Sequence, residues 1–484
     1  MAQTGNMVFI LSDQHTRAAL SCYGHDVVKT PNLDRLAARG TRFSQGYCNA
    51  PICVPSRASL ATGRHIHDIG IWDNCKPYHG EVPSWGHRLM DQGHHVTSIG
   101  KLHYRSEEDD NGFNEQIAPL YVLDGVGMLF TIVRDPLPVS GKFVQLVNGA
   151  GRGDSSYTDY DRDITEQTVR WIDEEAGKHT DKPWALFVSL VCPHPPWLAP
   201  DKFYEMYPPD SLPMPTAYSK DERPKHPAYE DLRHFFGVAE PFDEPTLRKV
   251  TAAYWGMISY LDDNIGKVLD ALERNGLSDK THVIYASDHG ESMGEKGLFS
   301  KCNMTEESVG VPVILAGPGV PEGRVVDAPV QLMDIFPTML EGVGATPTEA
   351  DKALPGASLF QLAETPDADR SILAQQHSAG AKSSSFMIRH GRFKYVYYID
   401  YQPQLFDLEN DPKELNDLAD DPAFASVRAD MDARLRALLD PEAVDRECKA
   451  DQAERLANGG GQEAVVAKGS PGYTPAPGEK PVFV

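Results

Sequence analysis

His282-Val-Ile-Tyr-Ala-Ser-Asp-His-Gly290 is a short apolar run that stops in an acid, an imidazole and a glycine. A run this short, rich in β-branched and aromatic residues, reads as a buried parallel strand with polar groups at its C-terminal edge. The segment before it, Thr246 to Asn275, carries apolar residues at helical spacing and ends at Asn-Gly. The same pattern recurs outward from there. Met7-Val-Phe-Ile-Leu11 ends in Ser12-Asp13-Gln14, and His95-Val-Thr-Ser-Ile99 runs into Gly100-Lys-Leu-His103. Ala185-Leu-Phe-Val-Ser-Leu-Val191 ends in Cys192-Pro-His-Pro-Pro196, and Pro312-Val-Ile-Leu-Ala316 supplies a fifth strand. Pro31 to Gly40 has a proline start, helical spacing and a glycine stop. Strands alternating with helices predict an α/β fold with a large, mostly parallel sheet flanked by helices. Ligands of open α/β sheets bind beyond the carboxyl ends of the strands. Asp13, Gln14, Lys101, His103, His194, Asp288 and His289 are therefore predicted to meet at one edge.

Between the first strand and the second lies Asn49-Ala-Pro-Ile-Cys-Val-Pro-Ser-Arg-Ala-Ser-Leu-Ala-Thr-Gly63. Pro55 suits the first turn of a helix. Cys53 then sits at a helix N-terminus, where free N–H groups and the macrodipole favour anions. Arg57, one turn later, can aim its fork at the same anion. The pentapeptide alone also reads as a buried Cys opening a helix. Asp13, Gln14, Asp288 and His289 offer hard oxygen donors and one nitrogen from two strand ends, enough with residue 53 for a single divalent cation.

The stretch from Cys53 to Arg64 resembles the C-x-P-S-R…Thr-Gly motif of the type I sulfatases, members of the alkaline phosphatase superfamily. Six motifs spaced in that family's order cover roughly residues 5 to 418. The resemblance implies that an activating, formylglycine-generating enzyme oxidises Cys53 to formylglycine. The hydrated aldehyde then attacks sulfur and later collapses to release sulfate. It implies Asp13, Gln14, Cys53, Asp288 and His289 as metal ligands. Lys101 and His103 match the family's G-K-x-H element, with Lys101 neutralising a sulfonate oxygen and His103 a base. His194 matches Pro-His-x-Pro, and Lys301 the "G-L-W-x-K…EES" segment. Both would act on the leaving oxygen. Asn74 matches a substrate-contacting Asn. Gln14 and His289 replace the commoner Asp and Asn, as in choline sulfatases and phosphonate monoester hydrolases. The cofactor expected is calcium, with manganese as the alternative.

Arg57, Lys101, Lys301 and a metal in one cleft suit a sulfuryl or phosphoryl anion. No second set of Asp and His ligands is visible, which argues against a two-metal phosphatase. The expected activity is hydrolysis of small sulfate monoesters, aryl or alkyl, choline sulfate included. The alternatives are a phosphonate monoester or phosphodiester hydrolase with the same nucleophile, and a non-catalytic anion-binding protein on this scaffold. Trp72, Tyr104, Phe113 and Trp197 are candidates to line a pocket for the alcohol.

The 484 residues carry 46 basic and 70 acidic side chains, a net charge of −24. Such a surface repels nucleic acid and anionic membranes, so neither is an expected partner. Seven scattered cysteines form no disulfide framework or metal pair. With no secretory signal in Met-Ala-Gln-Thr-Gly-Asn and no 18-residue apolar window, cytoplasmic residence is expected. Residues 1–368 read as the catalytic domain and 369–457 as a small α+β subdomain. Its strands fall near Ser371–Ala374, Ser385–Arg389 and Arg392–Tyr398, and its surface helix spans Pro422–Leu439. The Gly/Pro-rich tail 458–484 reads as disordered or as an arm in a homo-oligomer.

Overall fold

The computed structural model describes residues 3–484. Eight strands form the main sheet: β1 Asn6–Asp13, β2 Gly40–Tyr47, β3 Val96–Lys101, β4 Glu115–Leu120, β5 Ala185–Pro193, β6 Thr281–Ser287, β7 Val313–Ala316 and β8 Arg324–Gln331. Their spatial order is β8-β2-β7-β6-β1-β5-β3-β4. All pairings are parallel except those of β7, which runs antiparallel to both neighbours. β1 sits centrally, paired to β5 and β6, and Met7 to Leu11 are wholly buried. That explains its unbroken apolar run. The expected mixed, mostly parallel sheet is thus the observed one. β2, β4 and β8 carry too many polar residues to declare themselves as strands.

Helix α1, Pro31–Ala38, and helix α2, Cys53–Thr62, follow β1 and β2. All ten residues of α2 are buried, so its sequence shows no amphipathic stripe. Two long helices, α3 Ser156–Glu174 and α4 Glu244–Arg274, pack against each other on one face of the sheet. Asp243 caps α4 by accepting from Thr246 N at 2.9 Å, with Pro245 in its first turn. Among the described residues no helix is long and apolar enough to cross a membrane.

The C-terminal subdomain holds an antiparallel sheet of β9 Ile372–Gln376, β10 Ser385–His390, β11 Phe393–Tyr398 and β12 Gln404–Asp407. Helix α5 spans Ala425–Leu438, with the preceding Pro422–Phe424 a separate 3-10 turn. Helix α6, Pro441–Asn458, was not anticipated from the sequence. The tail departs from the expectation of disorder. It forms helix α7, Gln462–Lys468, and an extended return that lies on its own chain. Tyr157 Oη donates to Thr474 O at 2.6 Å, and Ser470 N donates to Val484 O at 3.2 Å. Local composition predicted disorder, but these long-range hydrogen bonds hold the segment in place.

Candidate active site

The polar ends of β1, β3, β5 and β6 converge with the start of α2, as the edge rule for open sheets requires. Cys53 is the first residue of α2 and is 1% exposed. Val54 N, one of the free N–H groups of that helix, donates to Asn74 Oδ1 at 2.9 Å. Asn74 therefore satisfies a free N–H at the start of α2 and also lines the cavity in front of Cys53.

Cys53 Sγ lies 3.2 Å from His289 Nε2 and 3.8 Å from Asp13 Oδ1. His289 Nε2 stands 3.6 Å from Asp13 Oδ1 and 3.6 Å from Asp288 Oδ1. The ligand atoms of Asp13, Cys53, Asp288 and His289 all lie within 4.8 Å of one another, and all four residues are buried. His289 Nδ1 faces Gly290 O at 3.0 Å, which leaves Nε2 for the shared point. Two carboxylates, an imidazole and residue 53 around one point fit a single dication. Among the described residues no second such cluster occurs.

Gln14 is brought alongside, with its backbone in the left-handed region (φ 70°). Its amide oxygen accepts from Lys301 Nζ, and its amide nitrogen donates to Glu291. Glu291 also accepts from Met293 N at 2.8 Å and Ser300 N at 2.6 Å, so it ties the Lys301 loop to Gln14. The sequence reading did not include Glu291.

Arg57 differs from expectation in its partners. Nε donates to Asp288 Oδ2 at 2.8 Å and Nη2 to Asp13 Oδ2 at 3.2 Å, while Nη1 reaches Lys101 O and Ser189 Oγ, each at 2.8 Å. Most of its donors are spent on protein acceptors. It clamps the two ligand carboxylates in place of facing an anion directly. Lys101 Nζ holds the same Asp13 Oδ2 at 2.7 Å. Burial alone would raise the Asp13 pKa, but the Lys101 and Arg57 cations hold it well below the usual carboxylate range. His289 is pushed up despite burial, by Asp288 and Cys53.

Two further histidines flank Cys53. His103 Nε2 lies 2.8 Å from Thr474 Oγ1 of the tail, and its buried Nδ1 has no protein partner. His194 Nδ1 faces Pro195 O at 2.7 Å, so it carries the proton there and leaves Nε2 as an acceptor. Burial first, then the nearby lysines, holds both imidazoles well below their ordinary pKa, so both are neutral. Lys301 is pushed up despite burial, by Cys53 and Asp13. Lys301 therefore keeps its proton where His194 does not. Asp161 anchors the strand end before His194, accepting from Val191 N at 2.7 Å and Cys192 N at 2.9 Å.

The profile of the sulfatase family matches residues 5–345, and that of the N-sulphoglucosamine sulphohydrolase C-terminal region matches residues 294–440. A choline-sulfatase of Rhizobium meliloti is 30% identical over 465 residues, covering 93% of this chain and 90% of its own. The chain belongs to the sulfatase family. Arylsulfatase K of Danio rerio is also 30% identical, over 470 residues, covering 91% of this chain and 85% of its own. The phosphonate monoester hydrolase of Agrobacterium radiobacter superposes with a TM-score of 0.72 at 25% identity, covering 90% of this chain and 95% of that one. This sulfatase is accordingly a sulfuric ester hydrolase with an alkaline phosphatase-like fold.

The cavity of the sulfatase opens from Cys53, Lys101, His103, His194 and Lys301. The aromatic residues anticipated for its wall lie elsewhere. Trp72 packs on His377, Tyr104 on Tyr78, Phe113 on Trp85, and Trp197 behind Phe143. The wall is made instead by Phe130, Phe143, Phe235 and Phe236, with Tyr473 from the tail. Their distance in sequence from every polar motif left no signal for them.

Proposed function

We propose that this sulfatase hydrolyses small sulfate monoesters with Cys53 as the precursor of a formylglycine nucleophile and one divalent cation held by Asp13, Asp288 and His289. The observation that carries the reading is the meeting of three cation ligands with Cys53 at the floor of a cavity that Lys101 and Lys301 also line. Calcium, or alternatively manganese, would withdraw electron density from the sulfuryl oxygens and favour the ionised nucleophile.

The chain's own groups supply the rest. Arg57 fixes Asp13 and Asp288 in a dry site, so little reorganisation is needed as charge moves. Lys101 and Lys301 are cations aimed into the same buried space and neutralise the sulfuryl oxygens. Lys301 carries the proton for the departing alcohol oxygen. Neutral His194 accepts a hydrogen bond at Nε2 and orients the bound ester. Neutral His103 takes a proton from the nucleophile's second hydroxyl, which releases sulfate. Gln14 steers Lys301 through its amide oxygen.

A second reading, a phosphonate monoester or phosphodiester hydrolase with the same nucleophile, is favoured by the structural likeness to the Agrobacterium enzyme. Rates on p-nitrophenyl sulfate, p-nitrophenyl phenylphosphonate and bis-p-nitrophenyl phosphate, with intact-peptide mass at position 53, decide between them. Fastest turnover of the sulfate by protein converted at Cys53 is the expected result. Faster turnover of the phosphonate would establish the second reading, and full activity with an unconverted thiol would overturn both.

A further inference from the structure

The cavity in front of Cys53 has two unlike halves. Its floor holds the charged groups already described. Beyond the floor the lining is mostly apolar, made by Met128, Phe130, Phe143, Leu146, Phe235 and Phe236, with the hydroxyls of Thr131, Ser140, Ser470 and Tyr473 among them, and the whole cavity measures about 80 Å³. Among the described residues no Asp or Glu lines this cavity, and the charged side chains that do are Lys101 and Lys301. The nearest carboxylates are committed beneath it. Asp13 and Asp288 are held by Arg57 and Lys101, and Glu291 by Gln14 and two backbone N–H groups.

The rings are also committed to one another. Phe143 and Phe236 pack tilted at 4.7 Å between centroids, Phe235 meets Phe236 edge-on at 5.2 Å, and Phe130 lies 6.0 Å from Phe235. Their tilted and edge-on packing forms a continuous hydrocarbon wall. A quaternary-ammonium cage instead needs several ring faces turned to one centre. A permanent cation entering here would shed its water beside two lysines, with no anion to replace it.

We infer that the leaving alcohol of this sulfatase is uncharged and largely apolar, a phenol or branched alkanol, and that choline sulfate is discriminated against. This rests on the reading of the Cys53 cavity as the ester site. It separates the chain from what the name of its Rhizobium relative states.

Choline sulfate and 3,3-dimethylbutyl sulfate test it, because they share a shape and differ in charge at one atom. Each is measured as a competitive inhibitor of p-nitrophenyl sulfate turnover by the intact protein. The neutral ester should have an inhibition constant at least about tenfold lower. Equal or tighter inhibition by choline sulfate overturns the inference. Should only the phosphonate ester be turned over, the sulfatase reading fails by itself, and the same pair is then read against that reaction. Met128→Glu adds a carboxylate to a partly exposed wall position and should shift the ratio toward choline sulfate by about tenfold. The neutral control Met128→Gln should leave it within about twofold. An unchanged ratio in Met128→Glu would mean that the alcohol does not occupy this wall.

Discussion

The molecule buries two clusters of six charged side chains, and they behave differently. One joins Arg17, Lys296 and Lys394 to Glu306, Glu307 and Glu414 between the catalytic domain and the C-terminal subdomain. The other joins Arg57, Lys101 and Lys301 to Asp13, Asp288 and Glu291 at the sheet edge. Each has three groups of each sign. In the first, every carboxylate meets a cation of the protein, with Lys394 Nζ 3.0 Å from Glu306 and 2.5 Å from Glu414. In the second, Asp13 Oδ1 and Asp288 Oδ1 converge with Cys53 on His289 Nε2, acceptors facing acceptors. Burial would lower the His289 pKa, but Asp288 and Cys53 push it up, as expected where acceptors crowd an imidazole. Charge count does not separate a weld from a site, whereas the direction of the acceptors does.

The largest effect should come from the centre of the second cluster. Cys53→Ala should cut turnover at least roughly 10³-fold with the melting curve unchanged. Retained wild-type turnover would remove Cys53 from the chemistry. Next, Asp288→Asn should lose the cation and about 10²- to 10³-fold in rate together, read by elemental analysis against a wild type with one dication per chain. Two zinc ions per wild-type chain would break the single-cation reading.

The first cluster should respond in the opposite currency. Lys394→Met leaves Glu306 and Glu414 without their shared cation and should cost about 3–5 kcal/mol of stability. Turnover per folded molecule and metal content should stay unchanged. Loss of metal in that variant would mean the two clusters are coupled. Burial alone would raise the Glu306 pKa, but Lys394 and Arg17 depress it from 4.5 to about 2. The unfolded chain therefore takes up that proton first on acidification. Stability from this pairing is present above pH 4.5 and is lost as pH falls toward 2. Glu306→Gln should flatten this limb of a urea-denaturation series. A limb as steep as wild type would assign acid lability elsewhere.

The smallest effect belongs to the tail. Thr474→Val removes the hydroxyl 2.8 Å from His103 Nε2. A loss of about three- to tenfold in kcat, with KM within about twofold, is expected. An unchanged kcat would make the contact incidental to catalysis.

Much of this was legible in the chain. Buried parallel strands announce themselves by unbroken apolar runs, and each polar cluster behind one marked the site edge correctly. Position along a strand gives convergence but not partners. Arg57 was read as an anion fork, because nothing in Cys53–Arg57 shows that Asp13 and Asp288 lie within its reach. Glu291 was invisible for a similar reason, since its meaning comes from Gln14 at 277 positions' distance. The tail's glycines and prolines carry no period, so only Tyr157 and His103, far away in sequence, reveal why it is ordered.

That ordering fixes a sequence of events during synthesis. Residue 53 is 1% exposed, and Ser470, Gly472, Tyr473 and Thr474 of the tail close part of the cavity that leads to it. Any enzyme that oxidises this thiol has to reach it while the ribosome is still extending the chain, or before the final segment docks. On the proposed formylglycine reading, the active fraction of a preparation is then decided by a race between modification and folding, and slower translation or delayed tail closure should raise it.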